Sequence, residues 1–340
     1  NEGHEVLSFD KDDTLEQLAS YVNEADFIFH LAGVNRPKDN SEFKTNSSLT
    51  DDIIHLVKMS KKETPIVLTS STQVLLDNDY GKSKKEAEDT LLNSNLPVYV
   101  CRLPNIFGKW CRPNYNSVVA TFCYNVAHDI EISVNKEANP VTFIYIDDLI
   151  DFFMDILANK INKGLIVDFP VTYRATPSEL AELIKSFKAS REDYSIPFQI
   201  GFVKKLYATY LTYLDGEQFS YDAVSHSDDR GSFTELYKTP GFGQTSVNII
   251  KPGITKGNHY HNSKNEKFIV VSGECEIKQR KIGTNEVISH KINGNCLKIV
   301  DIIPGYTHSI KNIGKTDAVV IMWASEMFDK EHPDTYFEEV

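Results

Sequence analysis

Between Gly253 and Gly273 the chain reads G-x5-H-x-H-x4-E-x6-G, with the chemistry carried by His259, His261 and Glu266. Two histidines at i and i+2 on one strand project from the same face, because strand side chains alternate with period two. A glutamate five residues on, past a short turn, can return to that face. Imidazole nitrogens with a carboxylate suit zinc, iron, copper or nickel better than magnesium or calcium. A fourth donor, His308, is on offer downstream in Ile303–Asn312.

A second constellation lies in the first hundred residues. An apolar run ends in Thr69-Ser70-Ser71-Thr72, and nine residues past Ser71 comes Tyr80, followed at i+4 by Lys84. On a helix Tyr80 and Lys84 face the same way. An ammonium beside a phenol favours the phenolate and lowers its pKa from about 10. Such a phenol suits proton donation to a carbonyl under hydride attack. The Ser71 hydroxyl could hold the same carbonyl oxygen.

The elements that must position these groups follow from the rest of the chain. At 340 residues two domains are expected. The 41% hydrophobic and 25% charged composition is ordinary for a soluble globular protein. A net charge of −12, from 36 basic and 48 acidic residues, argues against a nucleic-acid binder. No apolar run approaches a membrane span, and no basic-then-apolar leader opens the chain. The five cysteines are odd in number and form no C-x-x-C, which predicts reduced thiols and a cytoplasmic location.

Residues Glu5–Phe9 read as a short strand, and Thr14–Val22 as a helix with Leu15, Leu18, Ala19 and Val22 inward. Ala25–Leu31, Pro65–Leu68 and Pro97–Arg102 are apolar runs expected of parallel strands buried on both faces. A helix at Ser83–Leu92 separates the last two. Strands alternating with helices imply an α/β Rossmann-like sheet with chemistry at the carboxyl ends of its strands. Asp147–Ala158 is an amphipathic helix, and Thr176-Pro177-Ser178-Glu179 is a capping box with Pro at the first helical position. Residues 190–218 read as a helical connector whose Tyr207, Tyr210 and Tyr213 are core or interface. From Phe219 onward, strands at Ser246–Ile250, Lys267–Val271, Glu274–Arg280, Val287–Ile292, Lys298–Ile302 and Ala318–Trp323 imply an antiparallel sandwich or barrel. The expected division is therefore 1–218 and 219–340.

Residues Val6 to Lys188 resemble the extended short-chain dehydrogenase/reductases that act on nucleotide sugars. The resemblance rests on Leu31-Ala32-Gly33, on Ser71, Tyr80 and Lys84, on Arg102-Leu103-Pro104-Asn105-Ile106-Phe107-Gly108 and on Tyr145-Ile146-Asp147-Asp148. It implies Tyr80 as acid, Lys84 as its partner and Ser71 as carbonyl anchor, with Leu31, Ala32, Gly33, Tyr80 and Lys84 against the cofactor. It also makes Asn105, Lys109, Arg112 and Asn116 candidates for contacting the sugar nucleotide. The family opens with a strand and a glycine-rich turn that holds the cofactor pyrophosphate at a helix N-terminus. This chain begins inside what resembles the second strand, and no such glycine cluster stands upstream. Asp10 at that strand's end suits ribose hydroxyls, as for NAD, and Lys11 suits the 2′-phosphate of NADP.

The pair of segments around His259 and His308 resembles the two motifs of the cupin β-barrel, which implies His259, His261, Glu266 and His308 as metal ligands. In the second motif Ile303 stands where Pro is usual. Ser227–Glu235 resembles the D-x-R-G-x-F-x-E signature of the dTDP-4-keto-rhamnose 3,5-epimerase group, which implies that Arg230 contacts a sugar nucleotide. As a whole the chain resembles a family of bifunctional capsular polysaccharide synthesis enzymes. That resemblance implies C3 epimerisation of a UDP-4-keto-6-deoxy-N-acetylhexosamine by the cupin and C4 reduction with NADPH by the reductase. It further implies one zinc per cupin domain and a homodimer through the cupin. Three other readings stay open at this point: a cupin that only dimerises and binds substrate for a reductase, an iron-dependent cupin oxygenase, and, from the absent glycine cluster, a chain in which only the cupin is active.

Overall fold

The computed structural model describes residues 3–135, 137–197 and 200–340. The chain divides into two compact units, Asn1–Thr121 with Ser133–Leu180, and Phe122–Ile132 with Ala181–Val340. In chain order the first part carries α1 (Leu15–Glu24), β1 (Ile28–His30), α2 (Thr45–Ser60), β2 (Ile66–Ser71), α3 (Asp79–Leu92), β3 (Val98–Leu103) and β4 (Asn105–Phe107). Then come α4 (Val118–Ala127), β5 (Val141–Tyr145), α5 (Ile146–Leu157), β6 (Gly164–Ile166), β7 (Tyr173–Ala175), α6 (Pro177–Asp193) and α7 (Gly201–Leu211).

In the first unit β1, β2, β3 and β6 pair in that order, all parallel. Strand alternation sorts their side chains into two cores. Ile66, Leu68, Val98 and Val100 join Leu18 and Val22 of α1 and Ile53 and Val57 of α2 on one face. Val67, Tyr99 and Cys101 join Leu149, Phe152 and Ile156 of α5 on the other. A sheet covered by helices on both faces is the arrangement that parallel pairing requires. A smaller sheet, β4-β5-β7, lies beside the carboxyl end of β3.

Three expectations fail here. Glu5–Phe9 is not a strand: among the described residues no neighbour pairs with it, and Val6 is 75% exposed. β1 is shorter than the apolar run around it, because Ala25 is the C-cap of α1. Leu15 is also 65% exposed, so the inward stripe of α1 reduces to Leu18 and Val22. The start of α1 is a capping box between Thr14 and Gln17, and the expected box at α6 forms between Thr176 and Glu179.

The second unit begins among helices. Phe187 of α6 packs on Tyr207 and Tyr210 of α7, and Tyr210 and Tyr213 are buried. Phe198 and Gln199, within the expected 190–218 connector, lie outside the described residues. Residues 181–218 therefore group with the β-rich part, whereas the sequence reading ends the first domain at 218.

The remaining strands are β8 (Ser225–Asp228), β9 (Gly231–Thr239), β10 (Gly243–Ile250), β11 (Thr255–Tyr260), β12 (Glu266–Ser272), β13 (Glu274–Lys281), β14 (Val287–Asn293), β15 (Ile299–Ile302), β16 (Tyr306–Asn312), β17 (Ala318–Ala324) and β18 (Tyr336–Phe337). They form two antiparallel sheets, β15-β12-β17-β10-β9-β8 and β14-β13-β16-β11-β18. One core unites them: Phe268, Val270, Val300 and Val320 from the first sheet meet Cys275, Ile277, Ile292 and Ile310 from the second. All six expected strands are present, with five more. The added ones, such as β8 and β16, are polar sequences that the neighbouring ladders, and not their own hydrophobicity, recruit into a sheet.

Candidate active site and metal centre

The carboxyl ends of β1, β2 and β3 open onto a cavity of about 380 Å³ lined by Leu31, Gly33, Ser71, Tyr80, Lys84, Asn105, Arg112, Tyr115 and Asn116, among others. Asn78 caps α3 by accepting from the Gly81 N–H at 2.7 Å, which starts the helix in time to carry both Tyr80 and Lys84. Glu88, one turn further on and fully buried, clamps α3 to the sheet. It accepts from Ser70 of β2 at 2.6 Å and pairs with the Arg102 guanidinium of β3 at 2.7 Å.

Burial raises the Tyr80 phenol's pKa above its ordinary value, and the Ser71 hydroxyl pulls it partway back. The lowering by Lys84 that the i, i+4 spacing predicts does not occur. The Lys84 ammonium instead donates to the Thr69 carbonyl at 3.0 Å and lies against the Gly33 backbone. A Cβ at position 33 would sit 2.8 Å from its Nζ, so a side chain there would displace the ammonium. Burial pushes Lys84 itself down to about 8. Buried His30 bonds Thr50 at 3.0 Å and is held at about 4, by burial first and by Lys84 second.

Asn46 has no sequence motif, yet it belongs to this site. It accepts from the Val34 N–H at 2.7 Å and donates to Ser83 of α3 at 2.9 Å, tying the loop after β1 to α3. Arg36 and Arg112 both lie over the Tyr115 ring, 5.5 and 5.2 Å from its centre. Lys109 is not among the residues that line the cavity; its ammonium is paired with Asp147 at 2.7 Å. Asp10 and Lys11 lie in the turn before α1, where the Asp10 carboxylate accepts the Lys11 N–H. Ala32, between two lining residues, is exposed.

In the second unit the ligating atoms of His259, His261, Glu266 and His308 all lie within 4.8 Å of one another. They come from β11 and the turn after it, from β12 and from β16. β11 bulges between Gly257 and His259, with Asn258 at φ +59°, and so re-aims the histidine next to its partner His308. Gly257 at φ +96° permits this, since a Cβ there would sit 2.8 Å from the His308 carbonyl oxygen. His261 Nδ1–H donates to the Asp334 carbonyl, leaving Nε2 as the free lone pair, 3.4 Å from Glu266 Oε2. His308 Nε2 stands 3.5 Å from that same oxygen.

His261 Nε2 and Glu266 Oε2 are buried with no hydrogen-bond partner. Each such orphan costs roughly 1–3 kcal/mol, and a shared cation removes the cost. The four residues therefore fit a metal ion. Arg230, by contrast, is exposed and its guanidinium is held by Asp228 at 2.6 Å.

Burial, and then the neighbouring His259, push the His308 imidazole from its ordinary 6.5 to about 3, so it is neutral and able to ligate at pH 7. As pH falls, the unfolded imidazole takes its proton first. Stability held above about pH 6.5 is thus lost on acidification down to about 3, by about 1.4 kcal/mol per unit of separation. Thermal melts of chelator-treated protein at pH 7.5 and 5.0 check this, and equal melting temperatures would refute it.

Residues 226–336 match the family described as Polysaccharide biosynthesis C-terminal domain. The chain is 44% identical to the UDP-2-acetamido-2,6-beta-L-arabino-hexul-4-ose reductase of Pseudomonas aeruginosa, over 98% of this chain and 91% of that protein. Among solved structures, the capsular polysaccharide assembling protein CapF from Staphylococcus aureus superposes with a TM-score of 0.88 at 46% identity, over 97% of this chain and 91% of that one. CapF with the inhibitor 3-isopropenyl-tropolone superposes with a TM-score of 0.84 at 43% identity, over 99% and 93%.

Proposed function

This chain belongs to the family that contains CapF and the Pseudomonas 4-ketosugar reductase, and from that membership we propose that it is a bifunctional nucleotide-sugar enzyme of capsular polysaccharide synthesis. Residues 219–340, read as a cupin barrel, invert C3 of a UDP-4-keto-6-deoxy-N-acetylhexosamine. Residues 1–218, read as an extended short-chain dehydrogenase/reductase, then reduce C4 with NADPH. The product is UDP-2-acetamido-2,6-dideoxy-L-talose, on the way to UDP-N-acetyl-L-fucosamine. The observation that carries this reading is the convergence of Ser71, Tyr80 and Lys84 on one cavity at the carboxyl ends of the parallel strands.

The two steps share one functional group. A 4-keto oxygen acidifies the C3 proton, so inversion needs only a base and a stabilised enolate. The ketone survives that step and is the group reduced next. The nicotinamide, when bound, supplies the hydride. Tyr80 gives its phenolic proton to the C4 oxygen, and Ser71 holds that oxygen. Lys84, anchored on Thr69, lines the same cavity. Asn105, Arg112 and Asn116 in the cavity wall support sugar-nucleotide binding there.

Three imidazoles and one carboxylate favour zinc. With all four ligating, no position stays open, so the ion cross-links β11, β12 and β16 and has a structural role. Leu297 and Ile299, 69% and 61% exposed at the edge strand β15, support a homodimer through this part. An odd number of cysteines with no C-x-x-C spacing supports a cytoplasmic location; among the described residues no helix is long and apolar enough to cross a membrane.

Proton NMR of the UDP-4-keto-6-deoxy sugar with this protein in D2O, before and after NADPH, tests the reading. We expect the C3 proton to wash out first and a talo-configured product to follow. Reduction without prior exchange would leave the β-rich part as scaffold only, and absence of both reactions would overturn the assignment.

A further inference from the structure

The metal ligands are braced by a segment that lies some seventy residues away in sequence and contributes no ligand of its own. After β17 the chain returns so that Asp334 meets the turn joining β11 to β12. The Asp334 carboxylate accepts three consecutive backbone N–H groups, from Asn262 at 2.9 Å and from Ser263 and Lys264 at 2.8 Å, together with the Ser263 hydroxyl at 3.1 Å. Three successive N–H groups converging on one carboxylate form an anion nest, which freezes the backbone of the turn. That turn carries His261 at its start and Glu266 just past its end.

The same residue sets the ligand's tautomer. Its main-chain carbonyl takes the proton of His261 Nδ1, so the lone pair of Nε2 faces Glu266. Beyond it, β18 pairs with the ligand strand, His259 opposite Phe337 and Tyr260 opposite Tyr336. At its far end the strap is tied by Arg280 to Glu338 at 2.9 Å.

We infer that Asp334 is a positioning residue for the metal centre: through the nest at 262–264 and its carbonyl on His261 it holds two ligands in register before an ion arrives. The alternative is that the strap only covers the edge of the sheet. The two differ in what Asp334 governs, since a cover stabilises metal-free and metal-loaded protein alike, whereas a positioning residue acts on affinity. Partners that orient a ligating histidine are worth about 10–100-fold in metal affinity.

The inference rests on the metal-site reading, and its test separates the two. Zinc affinity of the full chain is measured by competition with a chromophoric chelator, and cobalt is substituted to read ligand geometry from its visible absorption. Asp334→Ala is expected to weaken zinc binding about 10–100-fold and to alter the cobalt spectrum. Asp334→Asn, which keeps one acceptor oxygen, should lose less and covers the case in which the alanine variant does not fold. Arg280→Ala, which loosens the far end of the strap, should lower the melting temperature and leave affinity within about twofold, far less than an orienting partner commands. Unchanged affinity and cobalt spectrum in both Asp334 variants would overturn the inference while leaving the site intact. A wild-type chain that binds neither metal would overturn the site itself.

Discussion

Tyr80→Phe is expected to slow NADPH-dependent reduction of the 4-ketosugar by about 10²–10⁴-fold, the range for a positioned general acid. The Tyr80 phenol lines the cavity together with Ser71, and phenylalanine keeps its ring while deleting its proton. Hydride arriving at C4 would leave an alkoxide with nothing to protonate it. Because α3 is held by the Asn78 cap and by the buried Glu88–Arg102 pair, and not by Tyr80, the variant should fold normally. Exchange of the C3 proton in D2O should continue, since that step is assigned to the other unit. A rate within about twofold of wild type, set against that range, would remove Tyr80 from the mechanism. Loss of exchange together with reduction would show that the two steps are not divided as proposed.

His308→Ala is expected to empty the metal centre and to destabilise the β-rich unit. It removes one of four ligands and leaves Glu266 buried beside a space. At a metal concentration a thousandfold above the dissociation constant, the bound ion contributes about 4 kcal/mol. For a unit of this size that corresponds to roughly 8–16 °C in melting temperature. Chelation of the wild-type protein should lower the transition of this unit to the same degree. The unit with the parallel sheet has its own cores and should melt unchanged. Elemental analysis and calorimetry check both halves. Metal retained in full by the variant would exclude His308 as a ligand, and a melt indifferent to chelation would exclude a structural ion.

The clustering of His259, His261, Glu266 and His308 was legible because it rests on local rules. Close spacing and turn glycines bring the groups together, although His261 stands in the turn after β11 and not on the strand with His259, which a bulge re-aims. The Tyr80–Lys84 spacing was legible for the same reason, through the helical repeat, and the capping box at Thr176 through the steric needs of a helix start. What each side chain does with its charge was not local. Lys109 and Arg230 read as free cations for a sugar nucleotide, but the fold brings Asp147 to one and turns Asp228 onto the other. Lys84 was expected to act on Tyr80, yet burial is the largest cause of the shift at each, raising the phenol and lowering the ammonium.

Glu5–Phe9 has the composition of a strand, yet among the described residues no ladder joins it, whereas β8 and β16 are strands because neighbours hydrogen-bond them. The bulge at Asn258, the pairing of His259 with His308, and the arrival of Asp334 at His261 are matters of register between distant segments. Periodicity and turn chemistry act over a few residues, so the sequence alone determined which groups could do chemistry and on which kind of element. Partner, register and burial depend on segments tens of residues apart meeting in space, and only the tertiary structure decided those.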